Sequence, residues 1–241
     1  MIPCSCGSND CHVWKELLEV PEDRFHRVGM ERLQVDAFID STKRLSWVLD
    51  VNRWARQCEF RSANVVIWKS PEAFAFSCWK RRKDIVSNLQ RYCRYFQQLR
   101  ATRLPVVTLS YDQLVAEPEA QLRQLGNLLG IEYFPGKERF WEHKHHLAFG
   151  NEGTRLTLKD IAPAIRQREP YPDEFLAHFR RLEISSHMPE LNALQSWLDD
   201  HDVSRRQTMD WSAWESPWAA PWWYYRQVLP TRLRGWLQWY R

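Results

Sequence analysis

Three short apolar runs, each passing at once into a stretch of helical character, constrain this chain more than any other feature. They are Val35-Asp36-Ala37-Phe38-Ile39, Val65-Val66-Ile67-Trp68 and Pro105-Val106-Val107-Thr108-Leu109. Runs of this length, bounded by polar and turn-forming residues, read as strands. The stretches between them carry the helical period: Leu45, Val48, Leu49 and Trp54 in the first, and Ile85, Leu89, Tyr92, Cys93, Phe96 and Leu99 in the second. Strands alternating with helices of this length indicate βαβ units, hence an α/β fold with a parallel sheet flanked by helices. A further helix from Pro118, with Leu122, Leu125, Leu128 and Leu129 on one face, stops at Gly130. Helix is expected again from Tyr171 to Asp199.

The strand ends hold the candidate chemistry. The second run ends in Lys69-Ser70-Pro71-Glu72 and enters what reads as one long amphipathic helix. Pro71 suits a first helical position, where its missing amide proton is no loss and its fixed φ is already helical. A cation, backbone amides and a helix dipole would meet at this point, which is how proteins hold phosphate. Ser77, two turns further on, adds a hydroxyl donor. The first run ends in Asp40-Ser41-Thr42-Lys43. In an open parallel sheet both ends would stand at the carboxyl edge, where ligands bind. A third element, His145-His146-Leu147-Ala148-Phe149-Gly150-Asn151, leads to Arg155. Its glycines, amide and guanidinium can lie over an anionic ligand.

Bulk properties narrow the function classes. The 241 residues fit one large domain or one domain with an appendage, and the 44% hydrophobic content sustains a core. A net charge of +4 suits a small anionic ligand or a membrane surface better than duplex nucleic acid. The basic turn Lys80–Lys83 lacks aromatic interleaving, so it reads as a solvated helix face and no nucleic-acid partner is expected. There is no apolar stretch of spanning length and no signal-peptide pattern. The six cysteines read as reduced thiols, so a cytoplasmic protein is expected. Cys4, Cys6 and Cys11, followed by His12, depart from standard zinc spacing, and no second ligand pair follows. His143, His145 and His146 likewise have no carboxylate or cysteine at diagnostic spacing, so no metal is expected.

Residues 1–200 therefore read as the α/β domain and 201–241 as a Trp/Arg-rich helical extension. Seven of the 14 tryptophans lie between Trp211 and Arg241, and no acidic residue follows Glu215. Leu229, Leu233, Trp236, Leu237 and Tyr240 share one helical face, with Arg226, Arg232, Arg234 and Arg241 around it. This composition fits an interfacial helix in peripheral contact with the inner face of a membrane. It fits equally a tail packed on its own domain or on a partner.

Taken in order, these pieces resemble the sulfotransferase family, in particular its bacterial and carbohydrate-type members. That family follows a strand ending Val-Asp-Ser-Ser-Lys with one entering Arg-Asp-Pro-Arg and a helix bearing a serine two turns on. Here these become Ile39-Asp40-Ser41-Thr42-Lys43 and Lys69-Ser70-Pro71-Glu72 with Ser77. Tyr111, Leu114, Pro118, Leu129 and Gly130 are similar to a later element, and His145–Asn151 to the family's His-His-Ile-x-x-Gly-Asn loop. Cys4-Ser5-Cys6-Gly7…Cys11-His12-Val13-Trp14 is similar to a segment such proteins carry after their first helix, and would loop over the acceptor channel. The resemblance implies a P-loop-like sulfotransferase fold and transfer of a sulfuryl group from PAPS (3′-phosphoadenosine-5′-phosphosulfate) to a hydroxyl of a carbohydrate, lipid or small metabolite. Lys69 and Ser77 would bind the donor 3′-phosphate, and Asn151 and Arg155 would close over the nucleotide. Asp40, Ser41 and Lys43 would face the acceptor, with Asp40 and His146 the candidates for the base.

The chain also departs from the family. Lys69 in place of Arg loses bidentate geometry, and Glu72 in place of the second Arg sets a negative charge near the phosphate. The family's opening strand and Gly/Ser-rich phosphosulfate loop have no counterpart in residues 1–34. The fold is thus expected to be N-terminally truncated, with open apolar sheet edges. The alternative is a non-catalytic remnant of the family that binds a partner or membrane through its tail. A nucleotide or sugar kinase fits less well, because no Walker lysine loop or Mg²⁺-binding acidic strand end stands out.

Overall fold

The computed structural model describes residues 4, 6, 8, 10–143, 145, 146, 170–182, 184 and 189–209. Asn151, Arg155 and the tail from Trp211 lie outside the described residues. In chain order the elements are α1 (His12–Leu17), α2 (Phe25–Leu33), α3 (Leu45–Gln57), β1 (Asn64–Trp68), α4 (Pro71–Lys80), α5 (Ile85–Ala101), β2 (Val106–Ser110), α6 (Tyr111–Ala116), α7 (Pro118–Leu129), α8 (Asp173–Arg181) and α9 (Glu190–Asp200). Single 3-10 turns cover Phe140–Glu142 and Val203–Arg205. Contacts divide the chain into two units, Met1–Asp40 with Tyr111–Glu169, and Ser41–Ser110 with Pro170–Arg241.

The second unit holds the α/β architecture. β1 and β2 pair in parallel, from Asn64↔Val106 to Trp68↔Ser110, joined by α4 and α5 as the alternating pattern predicts. Asn64 anchors the start of the pair: its side-chain amide donates to the Pro105 carbonyl at 2.9 Å and exchanges two hydrogen bonds with the buried Asn52 of α3. One sheet face, with Trp68 and Val106, joins a core built from Phe76 of α4, Leu89, Cys93 and Phe96 of α5, Phe175 of α8 and Leu191, Leu194 and Leu198 of α9. On the other face Val107 and Leu109 of β2 are buried, whereas their β1 partners Val65 and Ile67 are 39% and 55% exposed. The exposed apolar side chains of the pair are thus those of β1. The far edge of β2 is covered by the end of α9: Thr108 forms a bridge with Asp202, and its N–H donates to the His201 carbonyl at 2.9 Å.

Two expectations are corrected. The long helix from Pro71 is two helices, because the chain turns at Arg82, whose φ of 53° is left-handed, and Asp84 starts a new helix. The Asp84 carboxylate accepts the Ser87 N–H at 2.7 Å, a strong N-cap, and that amide holds its carboxyl below the ordinary carboxylate range. Lys80 is the exposed last residue of α4, and Arg81 to Lys83 lie on the exposed turn that follows it, so the four do not form one helix face. The residues Val35–Ile39 form no strand. Phe38 turns back onto α2, edge-on to Phe25 and His26 at ring distances of 5.8 and 5.4 Å. It lies over Gly29, where a Cβ would come within 2.8 Å of the ring. Burying that ring on a helix leaves Ile39 86% exposed, the opposite of what a half-buried strand requires.

The first unit is helical among the described residues, with α1 packed on α2 and α6 on α7. α7 stops as expected at Gly130, whose φ of 71° suits glycine. Among the described residues no helix is long and apolar enough to cross a membrane.

Candidate functional site

The β1–α4 junction is built by local chemistry. Ser70, in extended conformation, caps α4 by accepting the Ala73 N–H on its hydroxyl at 3.2 Å, and Pro71 takes the first helical position. The Tyr92 hydroxyl of α5 donates to the Lys69 carbonyl at 2.9 Å, and the Tyr92 ring leans on Phe74 at 4.9 Å. Burial keeps the Tyr92 hydroxyl protonated far above its ordinary range, so it stays a donor. The junction is therefore held from below by α5, with Lys69 and Ser77 half-buried. Because β1 and β2 end in register at Trp68↔Ser110, it stands at the carboxyl edge of the parallel pair. The Ser77 hydroxyl donates to the Ala73 carbonyl at 3.1 Å, within its own helix. Pro71 has no N–H and Ser70 already takes that of Ala73, so an anion meets fewer backbone donors here than at an uncapped helix start. Glu72 lies in the same turn, where it suits the helix dipole and opposes an anion.

Asp40, Ser41 and Lys43 lie on the irregular segment after Phe38, with Ser41 and Lys43 exposed. Asp40 has a partner the sequence did not announce. Its Oδ2 lies 3.0 Å from Nε2 of His26, and the His26 side chain is only 7% exposed while that of Asp40 is 23% exposed. The rings of Phe25 and Phe38 stand edge-on to the imidazole. A carboxylate fixed against a buried imidazole is a group that can receive and orient a proton. His26 escaped notice because α2 has no clean apolar stripe, and a single histidine 14 residues before an aspartate carries no spacing signal.

His146 stands in different company. Its Nδ1 lies 3.1 Å from Sγ of Cys11, its carbonyl accepts the Trp14 indole N–H at 2.8 Å, and its ring meets that of His12 edge-on at 4.9 Å. The ligand atoms of Cys4, Cys6, Cys11 and His146 all lie within 4.8 Å of one another. Cys4 and Cys11 are buried, and all six cysteines of the chain are thiols. Burial pushes the Cys4 thiol up. Burial also opposes ionisation of Cys11, but hydrogen bonds from the Trp14 backbone and the His146 ring outweigh it and leave that thiol below its ordinary value. The sequence could not assemble this cluster, since its histidine stands 135 residues from Cys11. His12, next to Cys11 in the sequence, is not one of the four and meets the His146 ring edge-on.

Within the first unit, then, Asp40 is paired with His26, and His146 stands among three cysteines; within the second, Lys69 precedes α4 and Ser77 lies on it. Compared with known proteins, the chain matches no family model, no curated protein and no solved structure.

Proposed function

We propose that this chain is a sulfotransferase-type domain with a P-loop-like fold, gripping the 3′-phosphate of PAPS at the β1–α4 junction and serving sulfuryl transfer to a hydroxyl acceptor. One observation carries the reading: a parallel βαβ pair whose first strand ends in Lys-Ser-Pro, with a serine on the helix that follows. Parallel strand ends with a cation and a helix start are where such folds hold anionic ligands. In the reaction the acceptor oxygen attacks sulfur as the bond from sulfur to the PAP oxygen breaks, and the acceptor proton passes to a base. The cations stabilise the charge on the moving group, as in phosphoryl transfer. Asp40, backed by His26, supplies a base of the right type, with Ser41 and Lys43 beside it in the chain. Asn151 and Arg155 are assigned to the nucleotide on the resemblance alone.

Calorimetry with PAP (the desulfonated product) tests this on the full chain. PAP is expected to bind, and Lys69→Ala is expected to weaken it by roughly tenfold or more, since a charge-assisted contact contributes about 1.5–3 kcal/mol. Ser77→Ala should weaken it less. Binding that both variants leave unchanged would sink the assignment. A second reading, a non-catalytic domain of the same fold, is favoured by the capped α4 start and by Glu72. It predicts no PAP binding at all. Cytoplasmic location with peripheral membrane contact through residues 211–241 completes the proposal, supported by the Trp/Arg composition of that stretch. Flotation with anionic liposomes should carry the full chain upward and lose a chain ending at 210; equal flotation of both refutes it.

A further inference from the structure

We infer that Cys4, Cys6, Cys11 and His146 form a tetrahedral zinc site that staples the N-terminal loop to the segment at His146. Three sulfurs and one imidazole nitrogen all lie within 4.8 Å of one another. A tetrahedron of zinc–thiolate bonds near 2.3 Å has sulfur–sulfur edges of about 3.8 Å, so the four groups close on an ion with sub-ångström to ångström adjustments. The Cys11 Sγ to His146 Nδ1 edge, at 3.1 Å, is already at or below the required spacing. In the metal-free state it is a thiol–imidazole hydrogen bond; with metal the two atoms become ligands of one ion, and the three thiols give up their protons.

The donor set selects the metal. Three thiolates and one imidazole in tetrahedral array suit zinc, whereas hard cations prefer oxygen ligands. Four protein ligands leave no open position, so the role is structural rather than catalytic. The surroundings are also those of a built site. Cys11 is the residue from which α1 starts, and its carbonyl accepts the Lys15 N–H at 2.8 Å. The Trp14 indole, one turn into that helix, holds the backbone of His146 itself at 2.8 Å. Such supporting contacts orient ligands before the metal arrives. Zinc would thereby pin the chain five residues before Asn151. The inference is independent of the sulfotransferase reading, apart from removing His146 from the candidates for its base.

The test uses the full chain, purified without chelator and then reconstituted with zinc under reducing conditions. One equivalent of zinc per chain is expected, and replacing it with cobalt should give the intense visible absorption of a tetrahedral thiolate site. Cys4→Ser, Cys6→Ser, Cys11→Ser and His146→Ala should each lose stoichiometric metal, whereas Cys58→Ser, outside the cluster, should keep it. If the serine variants fail to fold, His146→Cys decides: it should retain one metal ion with a cobalt spectrum shifted to that of four thiolates. X-ray absorption on the wild-type zinc protein should count three sulfurs and one nitrogen. Substoichiometric zinc in the reconstituted wild type, a different ligand count, or a disulfide among the three cysteines in freshly purified reduced protein would each overturn the site.

Discussion

Thr108, at the centre of β2, fixes how the sheet meets the last described helix, and its hydroxyl is the point to perturb. The residue is fully buried. Its Oγ1 donates to the Leu198 carbonyl at 2.5 Å and its N–H to the His201 carbonyl at 2.9 Å. Leu198 lies in the last turn of α9, where carbonyls have no partner further along the helix, so a strand residue completes the helix end. Thr108→Val replaces the hydroxyl by a methyl of similar size and leaves that carbonyl buried without its donor, at a cost of about 1–3 kcal/mol. The higher strand propensity of valine offsets part of this, on a scale that spans about 1 kcal/mol. A net loss of about 1–2 kcal/mol is expected from these two effects. Thr108→Ser keeps the bond and loses one methyl, about 1 kcal/mol. Thr108→Ala loses both and should be the least stable of the three. Urea unfolding followed by tryptophan fluorescence and far-ultraviolet dichroism reads these differences, since Trp68 lies in the core next to α9 and Trp197 packs against it. A valine variant as stable as wild type, at unchanged denaturant slope, would show that the hydroxyl bond contributes nothing and that the helix end is held some other way.

Three further outcomes are expected. Ile67→Thr, on the exposed face of β1, should change stability by less than about 0.5 kcal/mol, whereas Val107→Ala, on the same sheet face opposite Val65, should cost about 2 kcal/mol; a large loss at Ile67 in the same urea experiment would mean that the face is covered. Burial, reinforced by Glu190, pushes the Cys93 thiol from 9.0 to about 11. The protonated thiol is thus favoured in the fold, so its contribution is intact below pH 9.0 and is lost between 9.0 and about 11 as the unfolded chain ionises first. The fall in urea midpoint over that window should shrink in Cys93→Ala, and an undiminished fall would assign it to other groups such as the neighbouring Tyr92. Finally, Trp14→Phe removes the indole N–H that holds the His146 carbonyl and should lower zinc affinity by roughly tenfold in chelator competition; unchanged affinity would deny that contact a positioning role.

Much of the secondary structure was legible from neighbours three and four residues apart. β1 and β2 lie within a residue of the runs that announced them, α3 and α7 follow their apolar stripes, and Gly130 ends α7 in the left-handed conformation expected of it. The Lys-Ser-Pro entry to α4 was readable because cap and first-turn preferences act within four residues. The break at Arg82 was also local in cause, but the continuous apolar stripe on either side of it concealed the new cap at Asp84. Val35–Ile39 shows the reverse failure. Its composition suits a strand, yet a strand needs a neighbour to bond with, and Phe38 gains more by packing over Gly29 and beside Phe25.

The sequence by itself determined β1, β2, α3 and α7, the Lys-Ser-Pro entry to α4, and that a cation and hydroxyls stand at a strand-to-helix junction. These follow from backbone sterics and short-range periodicity, which any stretch of chain carries with it. Only the tertiary structure decided that His26 meets Asp40, that Thr108 closes the end of α9, and that His146 rather than His12 comes together with Cys4, Cys6 and Cys11. Each of those depends on two distant segments arriving at one place. Packing of the intervening helices controls that arrival, and no spacing in the sequence records it.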